Sequence, residues 1–237
     1  MSQELIARWD SYLNKLRDRF YAVLDSAEGP MQEVIDGVQY DTIVIINILQ
    51  GLKYQTVTQL SAKADEGWSK MRLEILKVNA NSLLKEQEPK RGIFQQWIQD
   101  EFERYEIKSY ARTARKILEN VKAHIDEKKL HRCTQCGAEL PINVYSFMAI
   151  NLKCESCGSV NTYQPDDRVR ALEYYVIEPL ANEFAMEEKI KGKTDKAAMK
   201  EYYKKYYGYL MENVPDKKEF YQRTMDERLN NPFFSMY

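Results

Sequence analysis

The sequence is poor in the residues that interrupt helices. It contains nine glycines and seven prolines among 237 residues, and these fall between stretches that have a helical period. A β-sandwich needs turn residues about every 8–12 positions along the chain. The scarcity of such residues therefore disfavours a β-sandwich and favours a protein built from long helices.

The sequence also lacks a strong net charge and a long apolar run. Its formal net charge is −1, so no global field draws it to nucleic acid or to anionic lipid. The most apolar run, residues 43–49, contains Asn47 and falls far short of the roughly 18 residues of a membrane span. Residues 1–10 lack the apolar core of a signal peptide. We therefore expect no membrane span and a cytoplasmic location, where thiols stay reduced.

The common catalytic motifs are absent as well. The two histidines, His124 and His131, have no glutamate three residues before them, which excludes the Glu-x-x-His pairs of a di-iron carboxylate bundle. Gly192 begins a Gly-Lys-Thr sequence, but a phosphate-binding loop requires glycine where Glu187 stands. No nucleophile elbow, dinucleotide fingerprint or His-Glu-x-x-His motif occurs. An enzyme is therefore the less favoured class of function.

The strongest chemical signal is a pair of C-x-x-C-G units that contain all four cysteines of the chain. Tetrahedral zinc takes four ligands, and two such units separated by a short strand-forming segment are typical of a tetrathiolate site. Each glycine lets the backbone fold beneath the metal. A shell of four cysteines leaves no open position for catalysis. We therefore predict one structural Zn²⁺ per chain, with the ligands Cys133, Cys136, Cys154 and Cys157.

Residues 131–165 resemble zinc-ribbon proteins built on two rubredoxin-type knuckles. The resemblance rests on the segments Cys133-Thr134-Gln135-Cys136-Gly137-Ala138-Glu139-Leu140 and Cys154-Glu155-Ser156-Cys157-Gly158-Ser159-Val160-Asn161. It implies a small β fold and a bound metal, and it implies no activity. Iron remains an alternative, although rubredoxins have proline where Glu155 stands. A dithiol redox pair, two disulfides and a ligand role for His131 are less favoured.

The remaining sequence predicts a mainly α protein, in which long antiparallel helices form a bundle or hairpin and the ribbon is inserted between them. We expect helical domains at 1–130 and 166–237, the second packing back on the first. The expected helices are 2–28, 41–64, 68–86, 93–130, 168–190 with a kink at Pro179, 195–211 and 215–229. The ribbon strands are expected at 140–145, 147–152 and 159–163.

Three functions fit these features. The first is a non-enzymatic scaffold or adaptor that contacts a protein partner or another copy through its helix faces and its aromatic tail, residues 232–234. The second is a nucleic-acid-associated zinc protein whose contact is formed by the ribbon and the basic helix. The basic segments are 108–132 and 189–205, although a solvated face explains these charges more simply. The third is an enzyme or a rubredoxin-like electron carrier. The scaffold is the favoured prediction.

Overall fold

The computed structural model describes residues 2–127, 132–140, 150–163 and 172–230. These residues are mainly helical and include one two-stranded antiparallel sheet, which confirms the predicted fold class. The helices are α1 (Ser2–Gly37), α2 (Ile43–Lys53), α3 (Gln59–Lys77), α4 (Ser82–Glu127), α5 (Glu178–Phe184), α6 (Met186–Gly192), α7 (Lys196–Asn213) and α8 (Lys218–Asn230). The strands are β1 (Ile150–Lys153) and β2 (Val160–Tyr163).

The contacts divide the chain into two compact units. Unit 1 comprises Met1–Val34 and Ile43–Glu106, and unit 2 comprises Ile35–Thr42 and Ile107–Tyr237. Helix α4 contributes its first half to unit 1 and its second half to unit 2.

In unit 1, the consecutive long helices α1, α3 and α4 are antiparallel. The Tyr12 hydroxyl of α1 donates to the Lys63 carbonyl of α3 at 3.0 Å, and Arg8 of α1 pairs with Glu74 of α3. Between α1 and α4, by contrast, the contacting residues advance in the same direction along both helices. Asp10 lies 2.5 Å from Lys90, and the Phe20 ring lies 5.3 Å from the Trp97 ring. Helices α1 and α4 are therefore parallel, and α3 returns between them.

Helix α1 is longer than the sequence predicts. The expected end at Gly29-Pro30 is wrong, because α1 continues to Gly37 with Pro30 inside it. Beyond the proline, Met31 and Ile35 are 1% and 2% exposed. Interior proline costs about 3 kcal/mol, whereas burying each large apolar side chain contributes about 1.5–3 kcal/mol. The two buried side chains together offset the proline, so the helix persists.

A π-helical turn, Tyr54–Thr58, joins α2 to α3. Such a turn inserts one extra residue into a helix, and here the adjacent Thr56 and Val57 are both buried. The Thr56 hydroxyl donates to the Leu52 carbonyl at 2.6 Å, which gives a partner to a buried polar group in the altered helix. The apolar face then continues into α3 through Leu60 and Ala64.

The predicted break at residues 65–67 is also wrong, because α3 is continuous from Gln59 to Lys77. Gly67 instead serves the packing of α3 on α1. A Cβ at this position would lie 2.4 Å from Cε1 of Tyr12, well inside van der Waals contact. The predicted interruption at Pro89 and Gly92 is wrong too, since α4 begins at Ser82 and runs through both positions.

The core of unit 2 joins the second half of α4 to the C-terminal helices. It consists of Ala114, Ile117, Val121, Leu172, Val176, Ile177, Ala181, Leu210, Val214 and Tyr221. The side-chain amide of Asn120 donates to the carbonyls of Val38 and Gln39 at 2.8 and 2.9 Å. This pair of hydrogen bonds attaches the segment after α1 to α4 within the unit.

The predicted helix at 168–190 is interrupted twice. A π-helical turn, Glu173–Ile177, lies just before Pro179, and Ala185 leaves helical geometry between α5 and α6. Proline has no N–H to donate and clashes with the preceding turn. The altered turn ahead of Pro179 and the proline's place in the first turn of α5 accommodate it. Where the sequence predicts a kink at Pro179, the helix therefore changes from π-helical to α-helical geometry.

The last helices match the sequence prediction closely. Asp195 caps α7, and its carboxylate accepts a hydrogen bond from the Ala197 amide at 2.8 Å. A 3-10 turn, Pro215–Lys217, leads into α8. Gly192 permits the tight turn between α6 and α7, because a Cβ there would lie 2.8 Å from the Met199 Cα.

Several predicted features lie outside the described residues. These are the strand residues 141–149, the C-terminal end of the predicted helix 93–130, His131, the start of the helix after the ribbon and the aromatic tail.

Candidate metal centre

The two C-x-x-C-G units adopt the same backbone turn. In the first, the Gly137 amide donates to the Cys133 carbonyl at 2.9 Å, and the Cys133 amide donates to the Ala138 carbonyl at 2.8 Å. In the second, Gly158 and Ser159 make the equivalent bonds with Cys154, both at 2.8 Å. The φ angles of Gly137 and Gly158 are 73° and 72°. This left-handed conformation explains why each unit carries glycine at that position.

The turns bring the four cysteine sulfurs together. All four lie within 4.8 Å of one another, with Cys133 and Cys157 at 3.5 Å and Cys136 and Cys154 at 3.6 Å. None is in a disulfide, whose S–S bond is about 2.05 Å. Four thiolates placed about 2.3 Å from a tetrahedral zinc lie about 3.8 Å apart. The sulfurs therefore have a spacing that suits a tetrahedral metal ion.

The small sheet supports the second knuckle. Strands β1 and β2 pair antiparallel, with Lys153 opposite Val160 and Leu152 opposite Asn161. A separate bridge joins Arg132 to Glu139. Among the described residues of this region, the buried hydrophobic cluster consists of Cys133, Leu140 and Cys154, with Ala138 and Leu152 packed against them. So small a cluster provides little hydrophobic stabilisation, and two of its buried members are cysteines.

Two polar side chains beside the sulfurs are not evident from the cysteine spacing. The Ser159 hydroxyl lies 2.9 Å from the Cys133 sulfur and 3.1 Å from the Cys157 sulfur. Asn161 is 4% exposed, and its amide nitrogen lies 3.6 Å from the Cys133 sulfur. The sequence distinguishes these residues only when the two knuckles are aligned. Ser159 and Asn161 then occupy the positions that Ala138 and Leu140 occupy in the first knuckle.

The four thiols influence one another's protonation. The hydrogen bond with Ser159, followed by that with the backbone of Cys136, lowers the pKa of Cys133 to about 5. The same hydroxyl lowers the pKa of Cys157. The Ala138 backbone lowers the pKa of Cys136, but hydrogen bonds with Cys157 and Cys154 outweigh it and raise that pKa to about 12. Without a positive charge, the sulfurs share protons and cannot all ionise.

The donor set fits a bound metal. The four cysteines would supply four thiolates and complete a tetrahedral shell, so the ion would hold the two knuckles together. Soft thiolate ligands favour zinc or iron over magnesium or calcium. The arrangement is compatible with the zinc-ribbon-like site that the sequence predicts.

Comparison of the sequence with protein-family models and with curated proteins, and of the structure with solved structures, gave no match. The assignment of a function therefore rests on the geometry of the chain itself.

The basic segments offer less support for a binding role. Several of their cations pair with carboxylates: Arg115 with Glu183, Lys116 with Glu119, Lys204 with Glu201 and Lys205 with Glu188. Lys189 donates to the Asn182 side chain at 3.2 Å and lies over the Tyr202 ring. Because these cations already contact side chains of the same chain, the contacts favour a solvated, structural role for the basic residues over phosphate binding.

A shallow cleft in unit 1 is a weaker candidate. It lies between α1 and α3, has a volume of about 250 Å³, and is lined by Arg8, Trp9, Tyr12, Gly67, Lys70, Met71 and Glu74. Pockets for small molecules usually measure about 300–1,000 Å³. The cleft is therefore small for a ligand, and its rim residues Arg8 and Glu74 already pair with each other.

Within the described residues, no helix combines the length and the apolar character that crossing a bilayer requires.

Proposed function

We propose that this chain is a helical scaffold protein whose ribbon, residues 131–165, is folded by one structural Zn²⁺. The ligands are Cys133, Cys136, Cys154 and Cys157. The convergence of the four sulfurs within 4.8 Å is the observation that carries this proposal. The described part of this segment has a small buried apolar cluster, so we propose that it gains much of its folding free energy from the metal. The ribbon is a module between the helical segments 1–130 and 166–237, and reduced thiols fit a cytoplasmic location.

Metal analysis of the purified chain tests the zinc assignment. Four thiolates bind either zinc or iron, so the ligand set alone does not distinguish the two metals. We expect one zinc per chain and a colourless protein. A coloured protein with one iron per chain would replace the structural role with a rubredoxin-like one. Absence of any stoichiometric metal from protein purified without chelator, together with a folded ribbon, would contradict the proposal.

The closed ligand set argues against catalysis at the metal. Catalytic zinc sites usually keep a position for water or substrate, whereas four cysteines occupy all four tetrahedral positions. The metal then contributes stability and leaves the interaction role to the helices. This division of roles supports a scaffold rather than an enzyme.

Exposed apolar side chains on the helices support an interaction role. Large examples in unit 1 are Ile43, Val44, Tyr54, Leu73, Leu76, Val78 and Ile93. On α3, Leu73 and Leu76 are 60% and 43% exposed and lie three residues apart, so they share one side of the helix. Burying such side chains against a protein partner or a second copy is favourable.

The scaffold proposal is tested by measuring the mass of the chain in solution and by affinity capture. We expect an assembly that contains a second copy or a defined protein partner. The double variant Leu73→Ser and Leu76→Ser should weaken it, whereas Lys85→Ser at an exposed position of α4 should not. A monomer that captures no partner would contradict the scaffold role. Salt-sensitive binding to oligonucleotides would instead support the nucleic-acid alternative.

A further inference from the structure

We propose that Ser159 and Asn161 are positioning residues that hold Cys133 and Cys157 at the metal, so that Cys136 is the ligand from which the metal is first released. The inference rests on the metal binding proposed above. It concerns the regulation of that site, because it identifies where metal exchange and chemical attack begin.

Ser159 connects the two knuckles through sulfur. Its hydroxyl lies 2.9 Å from the sulfur of Cys133 in the first knuckle and 3.1 Å from that of Cys157 in the second. A metal-bound thiolate has no proton and can only accept a hydrogen bond. In the metal-bound state the single hydroxyl proton is therefore shared between these two sulfurs, in a bifurcated hydrogen bond that stabilises their negative charge.

Asn161 connects the knuckles through the backbone. It belongs to β2, and its side-chain oxygen accepts hydrogen bonds from the Thr134 amide at 2.9 Å and from the Thr134 hydroxyl at 3.0 Å. Its amide nitrogen lies 3.6 Å from the Cys133 sulfur and 3.4 Å from the Ser159 carbonyl. A buried amide that uses both ends in this way fixes the first knuckle against the second.

The two knuckles are therefore equivalent in backbone but not in side chains. Where the second has Ser159 and Asn161, the first has Ala138 and Leu140, which carry no side-chain donor. Cys136 and Cys157 are the second cysteines of their knuckles, and both are exposed. Among the described residues, Cys157 has the Ser159 hydroxyl beside it, whereas Cys136 contacts only backbone and other sulfurs.

This asymmetry predicts an order of reaction. A hydrogen bond to a thiolate stabilises the charge on its sulfur and so lowers its nucleophilicity. An exposed thiolate is also easier to reach than a buried one. Cys136 combines exposure with no side-chain donor among the described residues, so we expect it to react first with an electrophile and release its bond to the metal.

The matched cysteines allow a direct test in the zinc-loaded full chain. Limiting N-ethylmaleimide is added, the reaction is stopped, and the modified cysteines are mapped by mass spectrometry. The thiolate sulfur forms a bond to one alkene carbon, the carbon–carbon π bond breaks, and the other carbon takes a proton from water. We expect Cys136 to react about 10-fold faster than Cys157, because removing an outer-shell partner typically changes metal affinity or activity by about 10- to 100-fold.

Variants at equivalent positions separate the proposed cause from accessibility. Ser159→Ala should bring the two rates close together, and Ser159→Thr should restore the difference. Ala138→Ser, which adds a hydroxyl at the matching place in the first knuckle, should slow the reaction of Cys136. Equal rates in the unaltered chain, or a rate ratio that Ser159→Ala leaves unchanged, would overturn the inference.

The role of Asn161 has its own readout. Competition with a chelator should show zinc affinity lowered by about 10- to 100-fold in Asn161→Ala. With Co²⁺ in place of zinc, Asn161→Asp should shift the thiolate-to-cobalt absorption, because it keeps the acceptor for Thr134 and loses the donor toward Cys133. An unchanged spectrum and affinity would remove Asn161 from the proposal. Failure of the unaltered chain to bind metal would instead refute the proposed function.

Discussion

Gly67 shows how a single missing side chain determines the packing of unit 1. Because a Cβ there would lie 2.4 Å from Cε1 of Tyr12, Gly67→Ala should destabilise the protein by about 1–3 kcal/mol. Gly51→Ala on α2 is the matched control, since nothing lies within 4 Å of its added methyl group. The control should stabilise the helix by about 0.5–1 kcal/mol. Denaturant unfolding measures both variants, and equal effects would contradict the packing role of Gly67.

Gly158 requires a left-handed backbone, with φ of 72°. Gly158→Ala should therefore cost about 1–2 kcal/mol in the folded knuckle and weaken zinc binding by about 10-fold, since 1.4 kcal/mol corresponds to that factor. Gly208→Ala is the control, because Gly208 lies in α7 with nothing within 4 Å. Competitive zinc titration gives the comparison. Equal zinc affinity in the two variants would show that the knuckle does not require glycine.

For individual residues, the sequence predicts the part of the metal centre that depends on the local backbone turn. The C-x-x-C-G spacing is local, so it identifies the cysteines and the need for Gly137 and Gly158. Ser159 and Asn161 contact the first knuckle only after the chain folds back, 26 and 28 residues beyond Cys133. Ser and Asn at such positions have no distinctive local pattern. Contacts at this separation in the chain are not readable from one sequence.

Helix α7 depends on a local signal that can be tested. Its cap, Asp195, accepts a hydrogen bond from the Ala197 amide. Asp195→Ala should lower the free energy of unfolding by about 1 kcal/mol. Asp195→Asn should keep most of the cap's contribution to stability, because asparagine also supplies an acceptor oxygen. Urea unfolding followed by circular dichroism measures the difference. If alanine and asparagine gave the same stability, the cap would contribute nothing.

The helices also show where local signals fail. Pro30, Pro89 and Gly67 all lie inside helices, although proline and glycine usually mark helix ends. Burial of neighbours such as Met31 and Phe94, 1% and 0% exposed, outweighs these local costs. The sequence predicts the start of α7 at residue 195, because the effect of a capping side chain is confined to one turn. The π-helical turn at Tyr54–Thr58 has no sequence signature of that kind.

At the scale of the whole molecule, the sequence predicts the fold class but not the division of the contacts. The helical period runs through Glu106 and Ile107 without a break, because both belong to α4. The boundary between the two units nevertheless falls between these residues. It reflects which helices pack on each half of α4, and those partners come from distant parts of the chain.

The central claim is that a metal ion folds the ribbon while the helices have cores of their own. In the part of the ribbon that the structure describes, the buried hydrophobic cluster is small, whereas unit 1 buries large side chains such as Phe20, Phe94 and Trp68. Removing the metal should therefore affect β1 and β2 far more than α1 and α3.

Amide hydrogen exchange of the full chain, before and after treatment with a zinc chelator, tests this claim most directly. We expect residues 150–163 to lose their protection after chelation, and the amides of α1 and α3 to keep theirs. Cys133→Ser should reproduce the chelated pattern. Unchanged protection of β1 and β2 in the chelated protein and in Cys133→Ser would contradict the structural role of the metal.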